Sequence, residues 1–180
     1  MCDVDANGVE EFVGIHQYAG VEGGVYSVKH NCTIEDIPQD SINLQLDICT
    51  WNHFDRFDCS KYASLQTLVI GVGCCSRVQS FCLDQHPSLR LLSIQRLSFS
   101  VAHSSNCVFR ISGCPQLKTV DIGQLCFKHF STFSVSDAPK LSLFRMGAFS
   151  FIHASTFEML SCPSLLLFTR SPDASFSCAK

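Results

Sequence analysis

Gly113-Cys114-Pro115-Gln116-Leu117-Lys118-Thr119-Val120-Asp121-Ile122-Gly123 is the stretch that decides the fold of this chain. It contains the phrase Pro-x-Leu-x-x-apolar-x-apolar, and the phrase recurs. Pro87-Ser88-Leu89, Pro139-Lys140-Leu141 and Pro163-Ser164-Leu165 open further copies, and Ala63-Ser64-Leu65 opens one in which the proline is replaced. The steps between the leucines are 24, 28, 24 and 24 residues. Self-similarity at a fixed period of this length is the mark of a stacked repeat architecture.

Two further columns hold the same register. Phe-x-apolar begins six residues before each proline position, at Phe57/Cys59, Phe81/Leu83, Phe109/Ile111, Phe133/Val135 and Phe157/Met159. Gly71, Gly123 and Gly147 end the apolar run, with Gln95 in their place once, and Cys75, Phe99, Phe127 or Phe151 follows four residues later. A degenerate copy starts near residue 41, where Leu44, Leu46 and Trp51 lie one period before Leu68, Ile70 and Cys75. The columns shift together only once, by four residues between Phe99 and Phe109.

Each copy reads as one coil with two short strands. In Leu-x-x-Leu-x-Ile the last two side chains share a face by period-two alternation. Glycine then allows a turn with positive φ, the following Phe fills the coil interior, and Phe-x-Val is a second strand facing the first. Proline interrupts the ladder before the next coil. A single unit cannot bury its apolar face, so about five must stack. The expected fold is therefore mainly β, a solenoid over residues 41–170 with residues 171–180 as a tail or truncated repeat.

Leu117-x-x-Val120-x-Ile122-Gly123 with Phe127, Phe133-x-Val135 and Pro139 resembles the irregular leucine-rich repeats of many protist proteins, related to those of surface-antigen-like proteins. Gly113-Cys114-Pro115-Gln116-Leu117 and Ser161-Cys162-Pro163-Ser164-Leu165 resemble the Cys-Pro-x-Leu phrase of leucine-rich repeats in F-box proteins. The resemblance covers roughly residues 41–170, but the Asn or Cys that ladders the turn of standard repeats is not regular. It implies a leucine-rich-repeat-like solenoid, protein recognition through the concave sheet, and no catalytic residues.

Charge is unevenly divided. Residues 1–40 hold eight acids against Lys29 alone, while residues 41–180 hold eight acids and twelve bases. This marks residues 1–40 as a separate N-terminal cap. Val9 to Ile15 and Val25 to Val28 alternate around Gly20, Gly23 and Gly24, as in a hairpin closing the first coil. A formal net charge of -3 gives no nucleic-acid footprint. The N-terminus lacks the pattern of a signal peptide, and no apolar run reaches membrane-span length. The expected location is cytoplasmic, with no nucleic-acid or membrane partner.

The chain has 12 cysteines and no Cys-x-x-Cys pair, so the common zinc spacing is absent. Cys59 and Cys75 fall at core positions. Cys114 and Cys162 share one column two coils apart, and so do Cys74 and Cys126. Two steps of about 4.8 Å exceed the roughly 7 Å Cα limit of a disulfide. These thiols are expected to be free, although a pair such as Cys32 with Cys49 near the cap stays open. His30, His53, His86 and His129 read as turn residues, the Asn31-Cys32-Thr33 sequon as incidental, and no cofactor or metal site is expected.

The outward column of the first strand is Gln45, Val69, Ser93, Asp121, Arg145 and Thr169; its neighbour is Asn43, Thr67, Leu91, Thr119, Leu143 and Leu167. Asp121 and Arg145 should be neighbours on adjacent coils. The candidate partner-binding residues are Gln45, Ser93, Asp121, Leu143, Arg145 and Leu167, on a scaffold that binds another protein without catalysis. An uncovered Leu/Phe edge at the C-terminal coil would also allow end-to-end self-association. The insertion at residues 100–106 reads either as neutral drift or as a loop that carries specificity. The alternatives are a carbohydrate-active enzyme on a parallel β-helix, against which no strand column collects adjacent acids, and a purely structural or surface-antigen repeat protein.

Overall fold

The computed structural model describes residues 25–29, 36–100 and 106–170. These build a β-solenoid of about five turns from two parallel sheets. Sheet A runs in the order β1 (Val25–Val28), β2 (Asn43–Leu46), β4 (Thr67–Ile70), β6 (Leu91–Ile94), β8 (Thr119–Ile122), β10 (Leu143–Met146) and β12 (Leu167–Arg170). Sheet B comprises β3 (Arg56–Asp58), β5 (Ser80–Asp84), β7 (Val108–Ser112), β9 (Thr132–Ser136) and β11 (Thr156–Leu160). From β2 to β12 the chain alternates between the sheets, so each of these coils adds one rung to both.

The register is the one read from the sequence. Leu44 pairs with Leu68, Leu68 with Leu92, Leu92 with Val120 and Val120 with Phe144 in sheet A. In sheet B, Phe57, Phe81, Phe109, Phe133 and Phe157 align in one column. The segment Val25–Val28, read as part of a cap hairpin, pairs in parallel with Asn43–Leu46 and so forms the first described rung of sheet A. The proposed partner strand Val9 to Ile15, the insertion residues 101–105 and the tail 171–180 lie outside the described residues.

Aromatic side chains fill the space between the sheets. Phe81, Phe109 and Phe133 stack face to face at 5.1 and 5.2 Å between centroids, and Phe99, Phe127 and Phe151 stack at 4.5 and 4.9 Å. The two columns meet edge to face, for example Phe109 against Phe127 at 4.9 Å. Such offset and edge contacts satisfy the ring quadrupoles while excluding water. Cys59 and Cys75 are fully buried in the same core, as small apolar residues.

The glycines act differently from the sequence expectation. Gly71, Gly123 and Gly147 are not at positive φ; they sit where successive coils come closest. A Cβ on Gly147 would lie 2.4 Å from the Gly123 carbonyl carbon, and one on Gly71 would lie 2.5 Å from the Leu46 carbonyl oxygen. The left-handed conformation falls two and four residues later. It is adopted by Gly73, Leu97, Leu125 and Phe149 in one column and by Trp51, Cys75, Phe99, Phe127 and Phe151 in the next. Burial of the second column holds those side chains in a conformation that L-residues otherwise avoid.

The turn ladder that seemed irregular is present in mixed chemistry. Thr50, Cys74, Ser98, Cys126 and Ser150 occupy one buried column. Cys74 Sγ donates to the Asp47 carbonyl at 2.9 Å, Ser98 Oγ to Gly71 at 2.7 Å, Cys126 Sγ to Gln95 at 3.1 Å and Ser150 Oγ to Gly123 at 2.8 Å. Each bond reaches the preceding coil. The hydroxyls also accept: Cys74 N–H donates to Ser98 Oγ at 3.3 Å and Cys126 N–H to Ser150 Oγ at 3.1 Å. Burial pushes the Cys126 thiol up to about 12, which keeps its proton in place as a donor.

Candidate interaction surface

Sheet A presents its second and fourth side chains inward, so the first and third of each strand form the outer face. The face is not uniform along the solenoid. Asn43, Leu91 and Val69 are buried, and Gln45 and Ser93 retain only 8% and 9% of their accessible surface. The face is open at both ends, with Val25 and Ser27 of β1 exposed at the first and the strands from β8 onward less covered at the second. Asp121 and Leu143 are half-buried, Arg145 is exposed, and Leu167 keeps 47% of its surface. Gln45 and Ser93 are therefore displayed much less than an open strand face would require, whereas Asp121, Leu143, Arg145 and Leu167 gather on three adjacent strands.

Arg145 lies directly across from Asp121 in the pairing of β10 with β8, and its Nη1 approaches Asp121 Oδ2 at 3.6 Å. As a solvated pair it contributes about 0–1 kcal/mol to stability. Its larger effect is to hold a charged spot in fixed register beside Leu143 and Leu167, which are themselves adjacent rungs. At the last described coil Leu160, Leu166 and Phe168 are also exposed, with Leu166 at 87%. Exposed apolar groups are a feature of contact surfaces; Leu143 and Leu167 lie on the sheet A face, whereas Leu160, Leu166 and Phe168 belong to the terminal edge.

Sheet B carries a second feature that the column-by-column reading of acids missed. Arg56, Asp58, Ser60, Ser80, Cys82, Asp84, His86 and Arg110 line a cavity of about 190 Å³ over its first three strands. Arg110 clamps Asp84 with two hydrogen bonds, one from Nε at 3.1 Å. The Ser60 backbone N–H donates to Asp58 Oδ1 at 2.9 Å and, with the Ser60 side chain, holds the Asp58 carboxyl below its usual range. His86 is not a surface turn residue. It is 2% exposed, in the column of Tyr62 and Cys114, and burial lowers its pKa so that the ring is neutral. A concentration of charge at outward positions of the first coils was the available sequence signal; Asp58 and Asp84 stand in different columns, one coil apart.

The other described histidines, His53, His129 and His153, sit at turns. His53 meets Phe54 in a tilted contact at 4.1 Å, and His129 stacks on His153 at 5.0 Å. Among the described residues no group of three or more His, Cys, Asp or Glu side chains is placed to hold a metal ion. No described helix is long and apolar enough to cross a membrane. His30, Asn31 and Cys32 lie outside the described residues.

The geometry defines the class of molecule as a parallel two-sheet β-solenoid. No family model matches the chain, and no match is found among curated proteins or solved structures.

Proposed function

We propose that this chain is a protein-interaction scaffold that engages a partner protein on the outer face of sheet A between β8 and β12. The carrying observation is the change along that face from covered to open, with Leu143, Leu167 and the Asp121–Arg145 pair displayed where it opens. The backbone ladder fixes the strand positions, so binding orders side chains but not main chain, which favours recognition. Gln45 and Ser93 are left out of the contact patch because they are already covered. Stacking of a second copy on the β11–β12 edge is a further contact of the same scaffold, supported by exposed Leu160, Leu166 and Phe168.

A cytoplasmic, reducing setting suits the fold, because Cys74 and Cys126 act as thiol donors in the turn ladder and an oxidised sulfur cannot donate. The leucine-rich repeat resemblance is supported by that ladder and by the coil length. The carbohydrate-active alternative needs one carboxyl kept protonated as an acid. The observed pair suits it less, since Asp58 is held low by Ser60 and Asp84 is clamped by Arg110.

The test is affinity capture with mass spectrometry, comparing the chain with an Asp121→Arg, Leu143→Asp variant of verified fold. A partner retained by the chain and lost by the variant supports the reading. Equal capture by both removes the sheet A face as the site.

A further inference from the structure

Independently of the sheet A reading, we infer that residues 1–24 of this chain dock on the corner that leads from sheet B into sheet A, along its basic rail and proline groove. The rail belongs to a column of turn residues joined by main-chain hydrogen bonds. The Gln66 N–H donates to the Ile42 carbonyl at 2.7 Å, Arg90 to Gln66 at 2.8 Å, Lys118 to Arg90 at 2.9 Å and Ser142 to Lys118 at 3.0 Å. Arg90 and Lys118 thus stand on adjacent rungs, and Lys140 stands in the next coil, two residues before Ser142. All three are exposed. Among the described residues none of them forms an ion pair, and Lys140 donates to the neutral Gln116 side chain at 2.6 Å. Like charges on neighbouring rungs repel. The acids nearby do not offset them: Asp36 and Asp40 belong to the first coil, Asp84 is clamped by Arg110, and Asp137 alone stands beside the rail.

At the same corner runs an open groove of about 680 Å³, walled by Pro115, Pro139 and Pro163 with Gln85 at one end. The prolines are exposed, one coil apart, and form an apolar ridge with a step of about 4.8 Å. Proline has no N–H, so this ridge offers side-chain contact rather than a strand ladder. The surface therefore suits a segment that carries acids for the rail and apolar side chains for the groove.

Residues 1–24 have that composition. They hold five acids, Asp3, Asp5, Glu10, Glu11 and Glu22, and no Lys or Arg. Glu10-Glu11-Phe12-Val13 sets two acids directly beside two apolar residues. Connectivity brings the segment to the right place. The chain enters sheet A at Val25, in register with Asn43, Thr67, Leu91 and Thr119. These parallel strands all begin at the rail corner, so residues 1–24 join the described chain there. Leu91, next to Arg90, is three rungs from Val25, or about 14 Å, and the last rung of sheet A is about 29 Å away. An extended chain of this length spans about 79 Å, so the whole corner is within reach. Tethering raises the local concentration of the segment to about the millimolar range, and weak exposed pairs then suffice. An acidic segment of another protein would match the charge without that advantage.

The experiment is zero-length carbodiimide cross-linking of the full chain, using an equal mixture of isotope-labelled and unlabelled protein, with mass spectrometry of the linked peptides. Carboxylates of residues 1–24 should link to Lys118 and Lys140 at least about fivefold more than to Lys128 on the opposite corner, after correction for each lysine's rate of acetylation. The linked peptides should share one isotope. Arg90→Glu changes an exposed side chain beside Lys118; it should keep the far-ultraviolet spectrum of the parent and cut both yields at least about threefold. Raising the salt to about 1 M, where the Debye length falls to about 3 Å, should cut them likewise without any substitution. The inference is overturned by equal yields at Lys118, Lys140 and Lys128, or by yields that neither Arg90→Glu nor salt reduces. Links that join only labelled to unlabelled chains overturn it too, since the occupant is then a second copy. Partner capture through sheet A is a separate readout, so the two readings fail separately.

Discussion

Ser98 Oγ donates to the Gly71 carbonyl at 2.7 Å and accepts the Cys74 N–H at 3.3 Å, so one hydroxyl joins two coils. Ser98 is fully buried, and no solvent can replace either bond. Ser98→Ala orphans a donor and an acceptor together. The expected loss is about 1–3 kcal/mol in chemical denaturation. Ser98→Cys, which imports the residue of the neighbouring coils, should lose much less. Equal losses for both variants would remove the hydrogen bond as the cause.

Phe133 stacks on Phe109 at 5.2 Å and on Phe157 at 4.2 Å, and meets Phe144 and Phe151 edge to face. Phe133→Ala opens a void at the centre of both aromatic columns. A destabilisation of about 3–5 kcal/mol is expected, read as a lowered denaturation midpoint. An unchanged melting curve would show that the core is assigned wrongly.

Gly147→Ala tests the role of the glycines. The added methyl would meet Gly123 and Gln124 backbone atoms at 2.4 and 2.5 Å, and backbone cannot swing aside as a side chain can. Overpacking of this kind costs about 1–3 kcal/mol. If glycine served only a left-handed turn, alanine at this position, where φ is not positive, would be neutral or slightly stabilising.

His86 links stability to pH. Burial lowers its folded pKa below the unfolded value of about 6.5, so over the interval between the two the unfolded chain binds more protons. Its contribution is complete above the unfolded pKa and declines as pH falls through that interval. The melting temperature should therefore drop below about pH 6.5 more steeply in the parent than in His86→Cys, which carries the residue of the Cys114 coil in this column. Parallel pH profiles would mean that His86 is not held neutral by the fold.

The fold was legible because the repeat displays its register several times over. Leu65, Leu89, Leu117 and Leu141 mark one column, and the Phe column moves with it, so a single four-residue shift could be placed between Phe99 and Phe109. The Arg145–Asp121 contact followed from that register alone. Features that depend on conformation did not. Positive φ falls on Leu97, Leu125 and Phe149, residues whose type gives no hint of it. The turn ladder alternates hydroxyl and thiol, so following Cys74 and Cys126 only as cysteines hid Ser98 and Ser150 between them. The covering of Gln45 and Ser93 is not a periodic property, and no repeat column encodes it. The sheet B cavity joins residues of different columns on successive coils, and only the pairing of β3, β5 and β7 brings Asp58, Asp84 and Arg110 together.

The central claim is that partner recognition takes place where the outer face of sheet A opens. Hydroxyl-radical footprinting with mass spectrometry tests it most directly, on the chain alone and in complex with the captured partner. The account predicts that Leu143 and Leu167 are oxidised in the free chain, that Val69 and Leu91 are protected in both states, and that Leu143 and Leu167 lose their labelling on binding. Unchanged labelling of Leu143 and Leu167 in the complex, with protection arising elsewhere, would contradict it.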